Sequence, residues 1–493
     1  MLEIERVKKL SQNGYNLVPV FKEILADLET PLSAFLKLKP LGANMLLESV
    51  EGGEKWGRFS IIGIGSLITI KSKGNFALIE NLGRIKVRTF KNDPLEVLEE
   101  VYASLRPYKL EGLPKVWGGF FGYLSYDVVK FFEPRVNVNR FKEDSFLYDM
   151  VFSIPEVLLV FDNVTKTLKI ISYILTEKGE LENEYRRAVE TIEKIEELLK
   201  KSSPHREIEP VGSESSWQVN FSNEDFMKAV EKAKEYIRAG DVIQVVLSRR
   251  FEKFFYGDPL TLYRALRHIN PSPYMYFLDY KDFQIVGASP EVLVRVEDGT
   301  IETRPIAGTR RRGKTLEEDI AMEKELLSDE KERAEHIMLV DLARNDVGRV
   351  AKIGSVRVTD LMIIERYSHV MHIVSNVVGS LRKDKSIFDV LRACFPAGTV
   401  SGAPKVRAME IIDEIEPSER GVYAGAVGYF SFDGNLDTAI AIRTAIVRRN
   451  KVYIQAGAGI VADSIPELEA KETVNKAKAL FKAVELAEKG LKG

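Results

Sequence analysis

Two pairs of glutamates, Glu332/Glu335 in ERAEHIMLVDLARND and Glu469/Glu472 in SIPELEAKETVNKAKAL, are each spaced three residues apart. Residues at i and i+3 of a helix share a face, so each pair can aim two carboxylates at one point. Two such helices could hold a hard divalent cation such as Mg²⁺ against an anionic substrate. Spacing alone is weak evidence, because paired glutamates on a charged helix usually form a solvated face. The second pair has more context. Ser464 is placed to cap its helix with Glu467 reaching back, and on a helical wheel Glu469, Glu472 and Lys476 border the apolar stripe of Val474, Ala477, Leu480, Phe481 and Val484. Charges beside a core need partners.

Other segments could meet an anion. FPAGTVSGAPK, residues 395 to 405, reads as a glycine-rich loop entering a helix at 406 to 415, where free amides favour negative charge. It is no phosphate-binding P-loop, since Lys405 neither follows a glycine nor precedes Ser or Thr. A second glycine segment, Ala456-Gly457-Ala458-Gly459, reads as a turn at a strand end. ETRPIAGTRRR, residues 302 to 312, is dense in arginine; without aromatic interleaving it reads as an electropositive rim or a solvated face rather than a nucleic-acid surface. Of five histidines, His369 and His372 in ERYSHVMHIVS would point to opposite faces of a strand, so one at most lines a given pocket.

These groups must be positioned by a large fold. The 493 residues exceed the size at which a single core stops growing. Hydrophobic residues make up 45% and charged ones 29%, with 71 Lys+Arg against 73 Asp+Glu, so anion binding has to be local. The beginning MLEIERVKKL lacks the apolar core of a signal peptide and no apolar run reaches membrane-spanning length, which leads us to expect a cytoplasmic protein. The one cysteine, Cys394, excludes a disulfide framework and reads as a small buried apolar residue. The polar stretch 200 to 217, with two prolines, is a candidate linker. Before it, 116 to 123, 157 to 161 and 168 to 174 read as strands. After it, helices over 223 to 239 and 315 to 345 alternate with strands at 242 to 248, 421 to 432, 438 to 447 and 451 to 456. Strands following one another directly favour antiparallel or mixed sheets over a doubly wound parallel one.

Taken together, TRPIAGT (303 to 309), ERAEHIMLVDLARND (332 to 346), GTVSGAPK (398 to 405), AVGYF (426 to 430), IRTA (442 to 445), AGAGIV (456 to 461) and DSIPELEAKETVNKA (463 to 477) resemble the chorismate-utilising enzymes. LLES (46 to 49), WGRFSIIG (56 to 63) and NPSPYM (270 to 275) narrow the resemblance to anthranilate synthase component I, with Phe59 where tyrosine is commoner. The resemblance implies an α+β fold, with large antiparallel or mixed sheets forming a sandwich and helices packed outside. It implies a regulatory, tryptophan-binding domain over 1 to 203 and a chorismate-binding catalytic domain over 217 to 486. It implies that Glu335 and Glu472 hold Mg²⁺, with Glu332 and Glu469 as an outer pair. Chorismate is expected against Gly308, Thr309, Thr399, Tyr423, Arg443, Gly457, Ala458, Gly459 and Lys476. Glu291 is expected to protonate the departing hydroxyl, and His372 is the candidate base.

Two positions separate the reactions. Relatives that add water carry a lysine base where this chain has Gln244, and aminodeoxychorismate synthases carry a nucleophilic lysine where it has Ala307. The implied function is a Mg²⁺-dependent lyase that makes anthranilate and pyruvate from chorismate and ammonia, the first step of tryptophan biosynthesis. Ammonia would come from a glutamine amidotransferase subunit in a heterotetramer of two large and two small subunits. L-Tryptophan would inhibit by binding Glu48, Ser49, Pro273, Tyr274 and Met275. The alternatives are an aminodeoxychorismate synthase and a non-catalytic tryptophan-binding scaffold.

Overall fold

A computed structural model describes residues 2–50, 57–81, 83–136, 147–177, 180–202, 208–212, 215–367 and 370–492. His369 and Trp56 lie outside the described residues, as does part of the linker. Among the described residues, two antiparallel sheets of twelve strands each face one another. In the first sheet, five strands from residues 17 to 175 run on into strands from the second half of the chain. The junction is Ala43–Glu48 against Tyr274–Asp279, with Glu48 opposite Met275. In the second sheet, Gly119–Leu124 pairs with Ala426–Ser431. Strands on both sides of the candidate linker therefore share both sheets.

Runs such as VLLVF are apolar throughout because both faces of the first sheet are covered. Leu158 and Val160 point into the core between the sheets, while Leu159 and Phe161 point to an outer core. That outer core is closed by helices Pro31–Leu38, Leu181–Leu199, Pro259–Ile269 and Pro466–Glu488. The architecture is the α+β sandwich expected from the sequence. No helix among the described residues is long and apolar enough to cross a membrane.

Several local expectations need correction. The stretch 438 to 447 is two strands, Leu436–Ile440 in the second sheet and Thr444–Arg448 in the first, and Arg443 turns the chain between them at φ 51°. Ala456 to Gly459 is no turn. It lies inside the strand Lys451–Ile460, its glycines fully paired with Gln244–Phe254. The helical stretch 315 to 345 is two helices, Leu316–Ser328 and Glu330–Gly348, separated by Asp329, whose carboxylate accepts from the amides of Lys331 and Glu332 at 3.0 and 3.1 Å. Ser464 does not cap the last helix, which starts at Pro466 after Ile465; its hydroxyl accepts from the Val461 amide instead. Residues 421 to 425 are not strand, and the helix after FPAGTVSGAPK starts at Lys405.

One buried ion pair ties the site-bearing segments together. Arg420 and Glu416 are 4% and 3% exposed and 2.6 Å apart. The guanidinium also donates to the carbonyls of Val400 and Val246 at 2.7 Å, and Glu416 accepts from the amide and hydroxyl of Ser248 at 2.7 and 2.9 Å. Three stretches of chain, 398–401, 244–248 and 416–420, thus meet at one ion pair. Removing one member strands the other charge in the core, which typically costs about 3–5 kcal/mol. Arg420→Met should lower stability by that order in a denaturant titration followed by circular dichroism, and an unchanged midpoint would contradict the account.

Candidate active site

The site forms where the chain crosses between the sheets twice. One crossing runs from Gln284–Ser289 to Val292–Glu297 and carries Glu291; the other carries Arg443. The crossings are bonded together. The Ile440 amide donates to the Glu291 carbonyl at 3.0 Å, the Ala288 amide to the Arg443 carbonyl at 3.1 Å, and the Ser289 hydroxyl to the Ile440 carbonyl at 2.7 Å. The backbone that carries Glu291 is therefore tied to the backbone that carries Arg443.

Their environments differ from those of surface charges. Burial pushes the Glu291 carboxyl up to about 8, against the opposing effects of the Thr399 hydroxyl and the Lys476 charge. At neutral pH it is a protonated acid. Burial also pulls Arg443 below its ordinary value, and among the described residues its guanidinium has neither a hydrogen-bond acceptor nor an anionic partner. A buried cation in that condition calls for an anion from outside the chain.

His372 stands opposite Thr309 across the strands Ile306–Arg311 and Val370–Ser380. Its Nδ1 is 3.0 Å from the Gly308 carbonyl and 3.0 Å from the Thr309 hydroxyl. The carbonyl can only accept, so we assign the proton to Nδ1, leaving Nε2 with the lone pair. Burial, reinforced by the Arg443 charge and opposed by the Gly308 carbonyl, holds the ring below the usual histidine range, so it is neutral. Gly308 itself, at φ 73°, brings the strand close to Glu332: a Cβ there would sit 3.2 Å from a Glu332 carboxylate oxygen.

The glycines of the strand Lys451–Ile460 have a steric purpose. A Cβ on Gly457 would lie 2.6 Å from the Tyr423 hydroxyl, and one on Gly459 2.4 Å from Gln244 Nε2. Ala458, between them, points the other way into the core with Ala408 and Ile411, so it offers the site only backbone. Loop 395–405 contributes Thr399, while the amides of Val400 and Ser401 turn back on the loop's own carbonyls rather than standing free. Gly402 and Ala403 pair directly with Val245 and Gln244. Lys405 is buried against Asp346 at 2.6 Å and serves the scaffold.

Each of the four glutamates is already engaged. Arg310 reaches Glu332 at 3.1 Å, Gln244 donates to Glu335 at 3.0 Å, and Lys476 pairs with Glu472 at 2.7 Å. The Ser464 hydroxyl and the Lys476 charge act on Glu469, favouring its ionised form. Burial, together with the neighbouring glutamate, raises Glu332 and Glu469 above the ordinary carboxylate range. Among the described residues no three acidic, histidine or cysteine side chains converge as a ready-made cluster. The donor set is hard carboxylate oxygen with an excess of negative charge, which fits a Mg²⁺ held through a few carboxylates and completed by water and substrate. The arginine-rich segment 302 to 312 is no bare rim, since Arg310 bridges Glu325, Asp329 and Glu332 and Arg312 pairs with Asp319. The sequence reading missed this role, as it missed Arg420.

A separate cavity of about 400 Å³ lies at the junction of the two halves. Glu48, Ser49, Pro273, Tyr274 and Met275 line it, together with Arg295 and Asp437. Glu48 is buried and receives two bonds from Arg267, at 3.1 and 3.2 Å, and one from the Tyr263 hydroxyl. Tyr274 donates to Asp437 at 2.9 Å, and Arg295 to the same carboxylate at 2.7 Å.

The chorismate binding enzyme family profile matches residues 47–482, a span that takes in the glutamates, Glu291, His372 and Arg443. The chain belongs to the chorismate-binding enzymes. Within them it is 55% identical over 490 residues to anthranilate synthase component 1 of Aquifex aeolicus (strain VF5), covering 99% of this chain and 98% of that protein. It is 49% identical to the protein of the same name from Acetivibrio thermocellus, covering 97% of each. The solved anthranilate synthase component I of Streptococcus pneumoniae TIGR4 superposes with a TM-score of 0.75 at 38% identity, covering 93% of this chain and 98% of that one. The menaquinone-specific isochorismate synthase of Escherichia coli, at 19% identity and a TM-score of 0.72, shares the fold.

For a chorismate-binding enzyme built this way, Gly459→Ala should force Gln244 from its place against Glu335. Steady-state assays should show kcat/KM reduced by about 10- to 100-fold with an unchanged melting temperature. A variant as active as the parent would show that the close approach does not matter.

Proposed function

We propose that this chain converts chorismate and ammonia to anthranilate, pyruvate and water as the large subunit of an anthranilate synthase. The observation that carries the reading is Arg443, a buried guanidinium with no anion among the described residues, on a crossing whose backbone is bonded to the one that carries the neutral Glu291 carboxyl. Chorismate is a dianion whose C4 hydroxyl must leave. Arg443 and Lys476 pair with its carboxylates, Arg443 the more directionally, with Tyr423 and Thr309 close by. Glu335 and Glu472 would hold Mg²⁺, with Glu332 and Glu469 outside them. Bound there, the ion would neutralise a substrate carboxylate.

The ammonia lone pair forms the bond to C2 as the ring double bonds shift and the C4–O bond breaks. Glu291 gives its proton to that oxygen, which leaves as water. The attached nitrogen gives up its extra proton, replacing the one Glu291 gave. Nε2 of His372 then takes the C2 proton as the C3–O bond breaks, the ring becomes aromatic, and the expelled enolpyruvate takes up a proton to become pyruvate. Ammonia needs no base to attack, which suits Gln244 in place of a lysine, and Ala307 offers no amine for a covalent route.

Ammonia from glutamine requires a separate amidotransferase subunit, for which we retain a two-plus-two assembly. Residues 217 to 486 hold the catalytic groups, and the regulatory cavity is shared, with Glu48 and Ser49 from 1 to 203 and Pro273, Tyr274 and Met275 from 217 to 486. The cytoplasm is our reading of the setting. The cavity at Glu48, Ser49, Pro273, Tyr274 and Met275 has the volume and the apolar and polar walls for L-tryptophan. An ammonium there would have to share Glu48 with Arg267. Two cavity strands lead straight to the site, since Arg295 follows Glu291 and Asp437 precedes Arg443, which gives inhibition a route.

Incubation with chorismate, Mg²⁺ and an ammonium salt at alkaline pH should yield anthranilate fluorescence without any partner, and absence of product would sink the proposal. At constant free ammonia, kcat/KM should fall as pH rises through about 8, where Glu291 loses its proton. Glu291→Gln should lose that limb and about 10²- to 10⁴-fold in rate. Added L-tryptophan should slow the parent enzyme, and an unchanged rate would remove the regulatory reading of the cavity.

A further inference from the structure

We infer that Lys476 occupies the place of the divalent cation at Glu472 and is handed to chorismate when the cation arrives, so that cation and substrate bind with positive coupling. The inference deepens the proposed reading of the site and rests on it. Lys476 Nζ lies 2.7 Å from a Glu472 carboxylate oxygen and 3.0 Å from the Gly457 carbonyl. Its charge is felt by Glu291, so the same ammonium faces the acid across the substrate position.

The other donors at the glutamates are held in ways that Lys476 is not. Arg310 is fixed by Glu325, Asp329, Glu332 and the Thr309 carbonyl. Gln244 is uncharged and buried, and Lys331 is directed to Asp463 at 3.0 Å. Lys476 and Glu472 are 41% and 44% exposed, so their contact is a weak, mobile i,i+4 pair that a divalent cation can displace. The displaced ammonium keeps the Gly457 carbonyl and the longer-range charge of Glu469, and has no carboxylate in direct contact until the substrate supplies one. In the absence of substrate, Lys476 competes for Glu472 and keeps the cation weakly held. With both present, each relieves the other, and linkage makes the effect equal in both directions.

Calorimetric titrations without an ammonia source, so that no turnover occurs, test this directly. For the parent, Mg²⁺ should bind more tightly with chorismate present, and chorismate more tightly with Mg²⁺ by the same factor. Lys476→Met should bind Mg²⁺ alone about 2- to 5-fold more tightly than the parent, because the competitor is gone, while the coupling factor falls several-fold. In a Glu472→Gln background the same substitution should no longer tighten Mg²⁺. Lys476→Met binding Mg²⁺ no more tightly, with coupling unchanged, would overturn the hand-off while leaving the site reading intact. A parent protein that binds neither ligand would overturn the site reading as well.

Discussion

Everything at the site depends on two chain segments that leave one sheet for the other at the same place. Because Ala288–Glu291 and Ile440–Arg443 are hydrogen-bonded to each other, the backbone of Glu291 and of Arg443 is positioned by chain that belongs to both sheets. Backbone fixed in this way sets where each side chain starts, which is part of preorganisation. The φ of 51° at Arg443 is the local conformational cost of turning the chain there.

The charge balance follows from that geometry. The crossings put an acid and a guanidinium, and the strand Val370–Ser380 puts a base, in low-dielectric surroundings, where burial neutralises Glu291 and His372 but leaves the guanidinium charged. Facing them, four glutamates on two helices carry more negative charge than Arg310, Lys331 and Lys476 offset, and Glu332 and Glu469 respond by holding protons more tightly. One side of the site therefore lacks an anion and the other lacks a cation. A dianionic substrate together with a divalent ion meets both deficits at once.

Much of this was legible in the sequence because it is local. The i,i+3 glutamates, the helical character of 315 to 345 and the apolar strand runs all rest on periodicity or on spacing, although the break at Asp329 was not visible there. The resemblance located Glu291, His372 and Arg443, and the fold brings them together. What escaped was set by contacts between distant segments. Residues 438 to 447 read as one strand because β-branched residues continue through the break, and nothing local marks Arg443 as a crossing. Gly457 and Gly459 read as a turn because their reason, the approach of Tyr423 and Gln244, lies on other strands. Arg420 sits in a polar turn between Glu416 and Tyr423, and its burial becomes visible only once Val246, Val400 and Ser248 have assembled around it.

The central claim is that Arg443 is held without an anion so that chorismate must supply one. It is tested most directly by thermal unfolding of the parent and of Arg443→Gln, each with and without chorismate. The account predicts that the ligand-free variant is at least as stable as the parent, since an unpaired buried cation has been removed, and that chorismate raises the melting temperature of the parent alone. A less stable variant that chorismate still protects as well as it protects the parent would contradict it.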